Sequence, residues 1–252
     1  ALDHVPGAIN CPVLDDEQRA RVGTLYVQDS PFTARKLGAA LVARNIARHV
    51  ETQFADRPKT WRPLVYCWRG GQRSGAMTHV LRQVGWDARK LNGGYKAYRR
   101  MVVAQTGALI AGLRLKVVCG LTGSGKSLLL QYLEQCGAQV LDLEALAAHR
   151  GSLLGDLPGA PQPSQKMLES RIWQRLRGFD PRRPVFIESE SRKVGNLRVP
   201  EALIARMWQG ECIWLETPAS ARVDLLLRDY RHFLEAPAQL HDRLDCLSPL
   251  HG

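Results

Sequence analysis

Hydrophobic and polar positions fall along this chain in blocks that read as helices and short strands taken in turn. From Pro31, the positions Ala34, Leu37, Ala40, Leu41, Ala43, Ile46 and Val50 recur at close to one helical turn, which predicts a long amphipathic helix. Ahead of it, residues 4–13 hold a Pro6-Gly7 turn and a short apolar segment, read as a turn into a strand. The charged run Asp15 to Arg21 is read as a helical turn or loop. After a polar, proline-bracketed stretch at 56–63, Val65-Tyr66 is a strand that delivers Cys67, and the helix behind it runs through Gln83 until Gly85 breaks it. Ala88 to Leu91 reads as a short strand, and Asn92-Gly93-Gly94 turns into a helix over 95–103.

Residues 104–114 mark a candidate boundary, giving domains at 1–108 and 109–252. Beyond it come a buried-strand run at Leu115 to Cys119, a helix at 128–136, a strand at Gln139 to Leu143, and a Gly- and Pro-rich stretch at 149–165. That stretch is read as a mobile lid or a plain surface loop. A helix over 166–177, a strand over 184–191, a helix over 201–209, a strand over 212–215 and a helix over 219–233 follow, with more helix from Ala236. Alternating strands and helices imply an α/β chain whose sheets are mostly parallel and covered by helices.

Composition narrows the class. The chain is 45% hydrophobic, yet no apolar run is long enough to cross a bilayer, so a membrane span is not expected. Asp3 and His4 interrupt any apolar start, and the first residue is not Met, so a secretory signal is not expected and the chain reads as clipped. Six cysteines stand singly, without the close pairs that hold zinc or form redox dithiols, which suggests reduced thiols in the cytoplasm and no zinc, haem or flavin. A net charge of +11, carried mostly by arginine, favours a polyanionic partner, with RNA foremost. The oligomeric state is not legible.

Two stretches carry chemistry. In Cys67-Trp68-Arg69-Gly70-Gly71-Gln72-Arg73-Ser74, the glycines let successive backbone N–H groups turn inward as a cradle for an anion, with Gln72 inside that loop. Arg69 and Arg73 add positive charge, and the following helix presents its positive end, conditions that favour a thiolate at Cys67. Such a cysteine is a candidate nucleophile for sulfur or selenium transfer, able to carry the chalcogen as an outer atom. The second stretch, Gly120-Leu121-Thr122-Gly123-Ser124-Gly125-Lys126-Ser127, is a full G-x-x-x-x-G-K-[ST] loop between a strand and a helix. Gly120, Thr122, Gly123, Ser124 and Gly125 offer backbone donors to phosphate, Lys126 reaches outer phosphates, and Ser127 can ligate magnesium. Asp142, Glu188 and Glu190 are candidate neighbours of magnesium or phosphate, with Glu188 preferred over Glu190. Arg192, Lys193, Arg222, Arg228 and Arg231 are candidate RNA contacts, and no metal ligand is certain.

The order of motifs carries a resemblance. His4 to Asn10, Cys67 to Ser74 and Leu91 to Tyr95 resemble, in sequence order, the early, active-site and late Gly-Gly segments of the rhodanese family, without that family's first strand. Joined to the P-loop and to Ile187 to Lys193, they resemble the tRNA 2-selenouridine synthase family. The resemblance implies that sulfur in a wobble 2-thiouridine of the tRNA anticodon loop is replaced by selenium, with selenophosphate as donor and an S-geranylated intermediate made from geranyl diphosphate. It implies catalysis by Cys67, phosphate binding by Gly120 to Ser127, and further chain beyond Gly252. The residues themselves leave two other readings open. One is a Cys-dependent phosphatase. The other is a nucleotide-switched RNA-binding protein whose rhodanese-like part is not catalytic.

Overall fold

The computed structural model describes residues 2–152 and 154–235, and the helix expected from Ala236 and Cys246 lie outside the described residues. The chain divides into two compact units, one spanning Gly7–Met101 and the other taking residues 2–6 together with the chain from Val102.

In the first unit, α1 (Asp16–Gln28) starts at a capping box in which the Asp15 carboxylate accepts from Gln18 N. The run read as a helical turn or loop is thus a full helix. Helix α2 (Pro31–Thr52) is capped by Ser30, whose hydroxyl accepts from Thr33 N, and Pro31 opens its first turn. Its apolar stripe puts Ile46 in a core with Val13, Phe54, Met77, Leu81, Trp86 and Ala88. Strands β1 (Leu64–Val65) and β2 (Arg89–Lys90) pair in parallel, with helix α3 (Gln72–Val84) between them in sequence. Gly85, left-handed at φ 108°, ends α3. Residues 8–13 form no strand, which corrects the sequence reading. Val13 is buried, but the segment has no ladder partner, and the Val13 and Pro12 carbonyls accept instead from the side chains of Asn45 and His49.

Helix α4 (Gly94–Ala111) runs into the 104–114 stretch read as a candidate boundary, and the change of unit, between Met101 and Val102, falls inside that helix. In the second unit a four-stranded parallel sheet in the order β4-β5-β3-β8 is made of β3 (Leu115–Cys119), β4 (Gln139–Leu141), β5 (Val185–Glu188) and β8 (Glu211–Trp214). An α/β architecture with a parallel sheet is therefore observed here. Leu115, Val117 and Val118 in the inner strand β3 are buried on its two faces, which is why it reads as an unbroken apolar run.

The connecting helices are α5 (Lys126–Gln135), α6 (Leu143–Ala147), α7 (Gln165–Arg177) and α8 (Glu201–Met207). A small antiparallel hairpin, β6 (Lys193–Val194) and β7 (Leu197–Arg198), precedes α8. The expected helix over 219–233 is two helices, α9 (Ala219–Asp229) and α10 (Arg231–Glu235). The break falls at Tyr230, whose hydroxyl lies 2.6 Å from Ser152 Oγ and whose ring lies under the Arg150 guanidinium.

Candidate active sites

Cys67 stands just past β1, and its surroundings are built by backbone close packing. Gly70 has φ 67°, and a side chain there would meet Leu91 O at 2.7 Å and Gly94 N at 2.9 Å. A side chain at Gly94, φ 58°, would collide with Cys67 O and Gly70 N. The Gly93-Gly94 segment is therefore a backbone buttress for the cysteine loop, pinned by Tyr95 N donating to Cys67 O (2.9 Å) and Lys96 N to Trp68 O (3.1 Å). Trp68, half-exposed, stacks on Tyr95 with ring centres 5.0 Å apart.

The thiol is partly buried, with Ser74 Oγ 3.3 Å from Sγ. Burial pushes its pKa up. Against burial stand the Ser74 hydroxyl and the backbone N–H groups of Ser74, Gly71 and Arg69, and together they win, bringing it down to about 7. The ring of donors is thus made of amides at 69, 71 and 74, at the start of α3. Gln72 is the first residue of α3 and is exposed, as are the side chains of Arg69 and Arg73. Ser74, buried and hydrogen-bonded to the thiol, is the functional residue that sequence reasoning left without a role, although it closed the motif.

In the second unit the P-loop joins β3 to α5. Gly120, Gly123 and Gly125 all have positive φ, and Gly125 caps α5. A side chain at Gly123 would meet Leu226 at 2.8 Å, so α9 packs directly on the loop. Thr217 Oγ1 donates to Ser124 O (2.8 Å) and Arg222 Nε to Thr122 O (3.1 Å). Lys126 Nζ donates to the carbonyls of Gly120 (3.0 Å) and Leu121 (3.3 Å). Ser124 is buried.

Ser127 Oγ donates to Glu144 Oε2 at 2.7 Å. Glu144, in the first turn of α6, was not singled out from sequence. Its placement depends on Asp142 capping a helix too short to show periodicity, with Asp142 Oδ1 accepting from Ala145 N at 2.8 Å. Glu188 is almost fully buried. Its Oε1 accepts from Glu144 N at 2.9 Å, and its Oε2 has no partner among the described residues. Burial, then the charges of Asp142 and Glu144, push Glu188 well above the carboxylate range. Burial and Glu144 push Glu190 up to about 7, and burial raises Asp142 and Glu144 as well.

Among the described residues no group of three or more His, Cys, Asp or Glu side chains is set to hold a metal ion. Ser127 Oγ, the Glu144 carboxylate and the unpartnered Glu188 Oε2 are an oxygen-only donor set, the chemistry that magnesium takes.

The RNA-contact candidates separate. Arg222 is engaged with the P-loop backbone, Arg228 and Arg231 are exposed, and Arg192 and Lys193 lie at the β6–β7 hairpin. Two cysteines read as isolated come together, since Cys119 and Cys212 occupy one face of β3 and β8. Burial, then the Cys212 thiol, pushes Cys119 up to about 11.

Residues 113–245 match the family model described as the tRNA 2-selenouridine synthase AAA domain. The chain is 36% identical over 233 residues to the tRNA 2-selenouridine synthase of Nitrosomonas europaea, covering 90% of this chain and 59% of that protein. It is 35% identical over 239 residues to that of Nitrosomonas eutropha (91% and 60%), and 34% identical over 246 residues to that of Marinobacter nauticus (95% and 65%). The chain thus spans about three fifths of the length of these curated relatives.

Proposed function

The chain belongs to the tRNA 2-selenouridine synthase family, and from that premise we propose that it is a tRNA-modifying transferase that exchanges sulfur for selenium in a wobble 2-thiouridine. The observation that carries the reading is Cys67, a thiol held near pKa 7 by the Ser74 hydroxyl and a ring of backbone amides that also fits an oxyanion. We read the first unit as rhodanese-like, the donor as selenophosphate, and the ligand of Gly120 to Ser127 as the diphosphate of geranyl diphosphate.

Geranylation turns the thiocarbonyl sulfur at carbon 2 into a leaving group. Electron counting then limits what Cys67 does. Carrying selenium as an outer atom on sulfur would oxidise selenide-level selenium by two electrons, and the scheme holds no oxidant to take them unless phosphorus is reduced to phosphite. Attack at phosphorus balances. The Cys67 thiolate forms an S–P bond, the P–Se bond breaks, and hydrogen selenide leaves with the electron pair. Selenide adds at carbon 2, the geranyl thiolate departs, and water cleaves the S–P bond to give phosphate and the free thiol. The amides of Arg69, Gly71 and Ser74, with the Arg69 and Arg73 guanidinium groups, suit the phosphoryl oxygens.

The test uses the chain with 2-thiouridine-containing tRNA, geranyl diphosphate and selenophosphate, followed by mass analysis of the nucleosides. Cys67→Ser abolishes selenouridine and leaves the geranylated nucleoside, whereas Lys126→Ala abolishes geranylation. Equal loss of both steps in both folded variants would refute this division of labour. A Cys67-dependent turnover of aryl phosphate without any tRNA product would support the phosphatase reading instead. Tight RNA binding that Cys67→Ala leaves intact and Lys126→Ala abolishes, with no nucleoside product, would support the nucleotide switch.

A further inference from the structure

Strands β6 and β7 pair so that Lys193 faces Arg198 and Val194 faces Leu197. Val194 and Leu197 are buried beneath the hairpin, so Lys193 and Arg198 both stand on its exposed outer face. Two like charges directly across a strand pair repel, and among the described residues no carboxylate pairs with either. Alongside, the Arg192 guanidinium lies 5.6 Å from the ring centre of Trp208, the residue that ends α8. Trp208 is 71% exposed, and its neighbour Arg192 also pairs at 3.5 Å with Glu201, both side chains standing largely in solvent. A cationic ladder beside an exposed indole is the pairing of charge and flat apolar face that takes unpaired nucleotides: phosphates on the cations, a base on the ring. The strip begins two residues after Glu190, which sits with Glu144 at the P-loop.

We propose that the outer face of this hairpin, Lys193 and Arg198 with Arg192 and Trp208, is the surface on which the second unit holds a single-stranded segment of RNA. The inference rests on the reading that RNA is the substrate, and it adds Arg198 and Trp208 to the residues that serve it. It also sets Arg222 aside, since that guanidinium is occupied by Thr122 O.

The test is binding of a fluorescein-labelled, unstructured RNA oligonucleotide to the chain across a salt series. Lys193→Glu/Arg198→Glu lowers affinity and reduces the slope of log K against log salt by about 1.4, for two lost phosphate contacts on a single strand. Trp208→Ala weakens binding about tenfold with the slope unchanged, as loss of one stacked base predicts. Arg44→Glu/Arg48→Glu, the same charge change on exposed positions of α2, keeps the wild-type slope. If the hairpin and Trp208 variants bind as wild type while wild type binds steeply with salt, this surface is refuted and the RNA reading stands. If polyglutamate competes as well as RNA, the surface is one for an acidic protein and the proposal falls. If wild type shows no salt-dependent affinity for RNA, both fall together.

Discussion

Ser74→Ala raises the pKa of Cys67 from about 7 toward 8. The Ser74 hydroxyl lies 3.3 Å from Sγ and also donates to Gly71 O at 3.2 Å, but it has one proton. While Cys67 is a thiol, that proton rests on the Gly71 carbonyl. Once the thiolate forms, it turns to sulfur and the carbonyl bond is given up. The net preference for thiolate is the difference between a hydrogen bond to a charged group, about 1.5–3 kcal/mol, and a neutral one of about 1 kcal/mol. That difference is on the order of 0.5–2 kcal/mol, whose middle is roughly one pKa unit. At pH 7 the thiolate fraction therefore falls from about one half to about one tenth.

Iodoacetamide alkylation, followed by mass analysis of the Cys67 peptide across pH, reads this directly. The midpoint moves up by about one unit, and the rate at pH 7 drops less than fivefold, because a more basic thiolate is intrinsically more nucleophilic. The amide donors remain, so the midpoint stays below the ordinary cysteine value. The stability sign follows from the lowered pKa. Ionised Cys67 stabilises the fold above the ordinary cysteine pKa, and this is lost as pH falls through about 7, so the variant is weakened at alkaline pH most of all. An unshifted midpoint would show that the hydroxyl does not hold the thiolate.

Gly94→Ala drives a methyl group into Cys67 O and Gly70 N at a left-handed position, costing about 2–4 kcal/mol and lowering the thermal midpoint of that unit by about 10 °C or more. It also erases the low alkylation midpoint of Cys67, while Gly71→Ala, at φ −90° with nothing within 4 Å, keeps its stability; equal melting of the two would contradict the buttress. Glu190 is an acid whose folded pKa is raised, so it costs nothing below its unfolded value and erodes stability as pH rises from there to about 7. Glu190→Gln therefore flattens the decline of the urea midpoint over that range, and an unchanged slope would count against a strained carboxylate there.

What could be read from sequence was whatever local periodicity or fixed spacing encodes. The stripe of α2 and the glycines and Lys126 of the P-loop are of this kind, since neither depends on a distant partner. Residues 8–13 look extended, but a strand needs a neighbour, and pairing is not written locally. Glu144 reaches Ser127 only because Asp142 caps a five-residue helix. Cys119 and Cys212 meet only through the β3–β8 neighbour relation. The split at Tyr230 depends on Ser152 and Arg150, far back in the chain. The β6–β7 hairpin was legible in principle, because its Gly195-Asn196 turn places glycine at φ 56° between apolar residues.

Anaerobic mixing of the chain with selenophosphate alone, followed by acid quench and peptide mass analysis, tests the central claim most directly. The account predicts a phosphoryl group on Cys67 and on no other cysteine, free selenide released in step with it, and neither product from Cys67→Ser. Selenium retained on the Cys67 sulfur, or selenide released equally by Cys67→Ser, would contradict it.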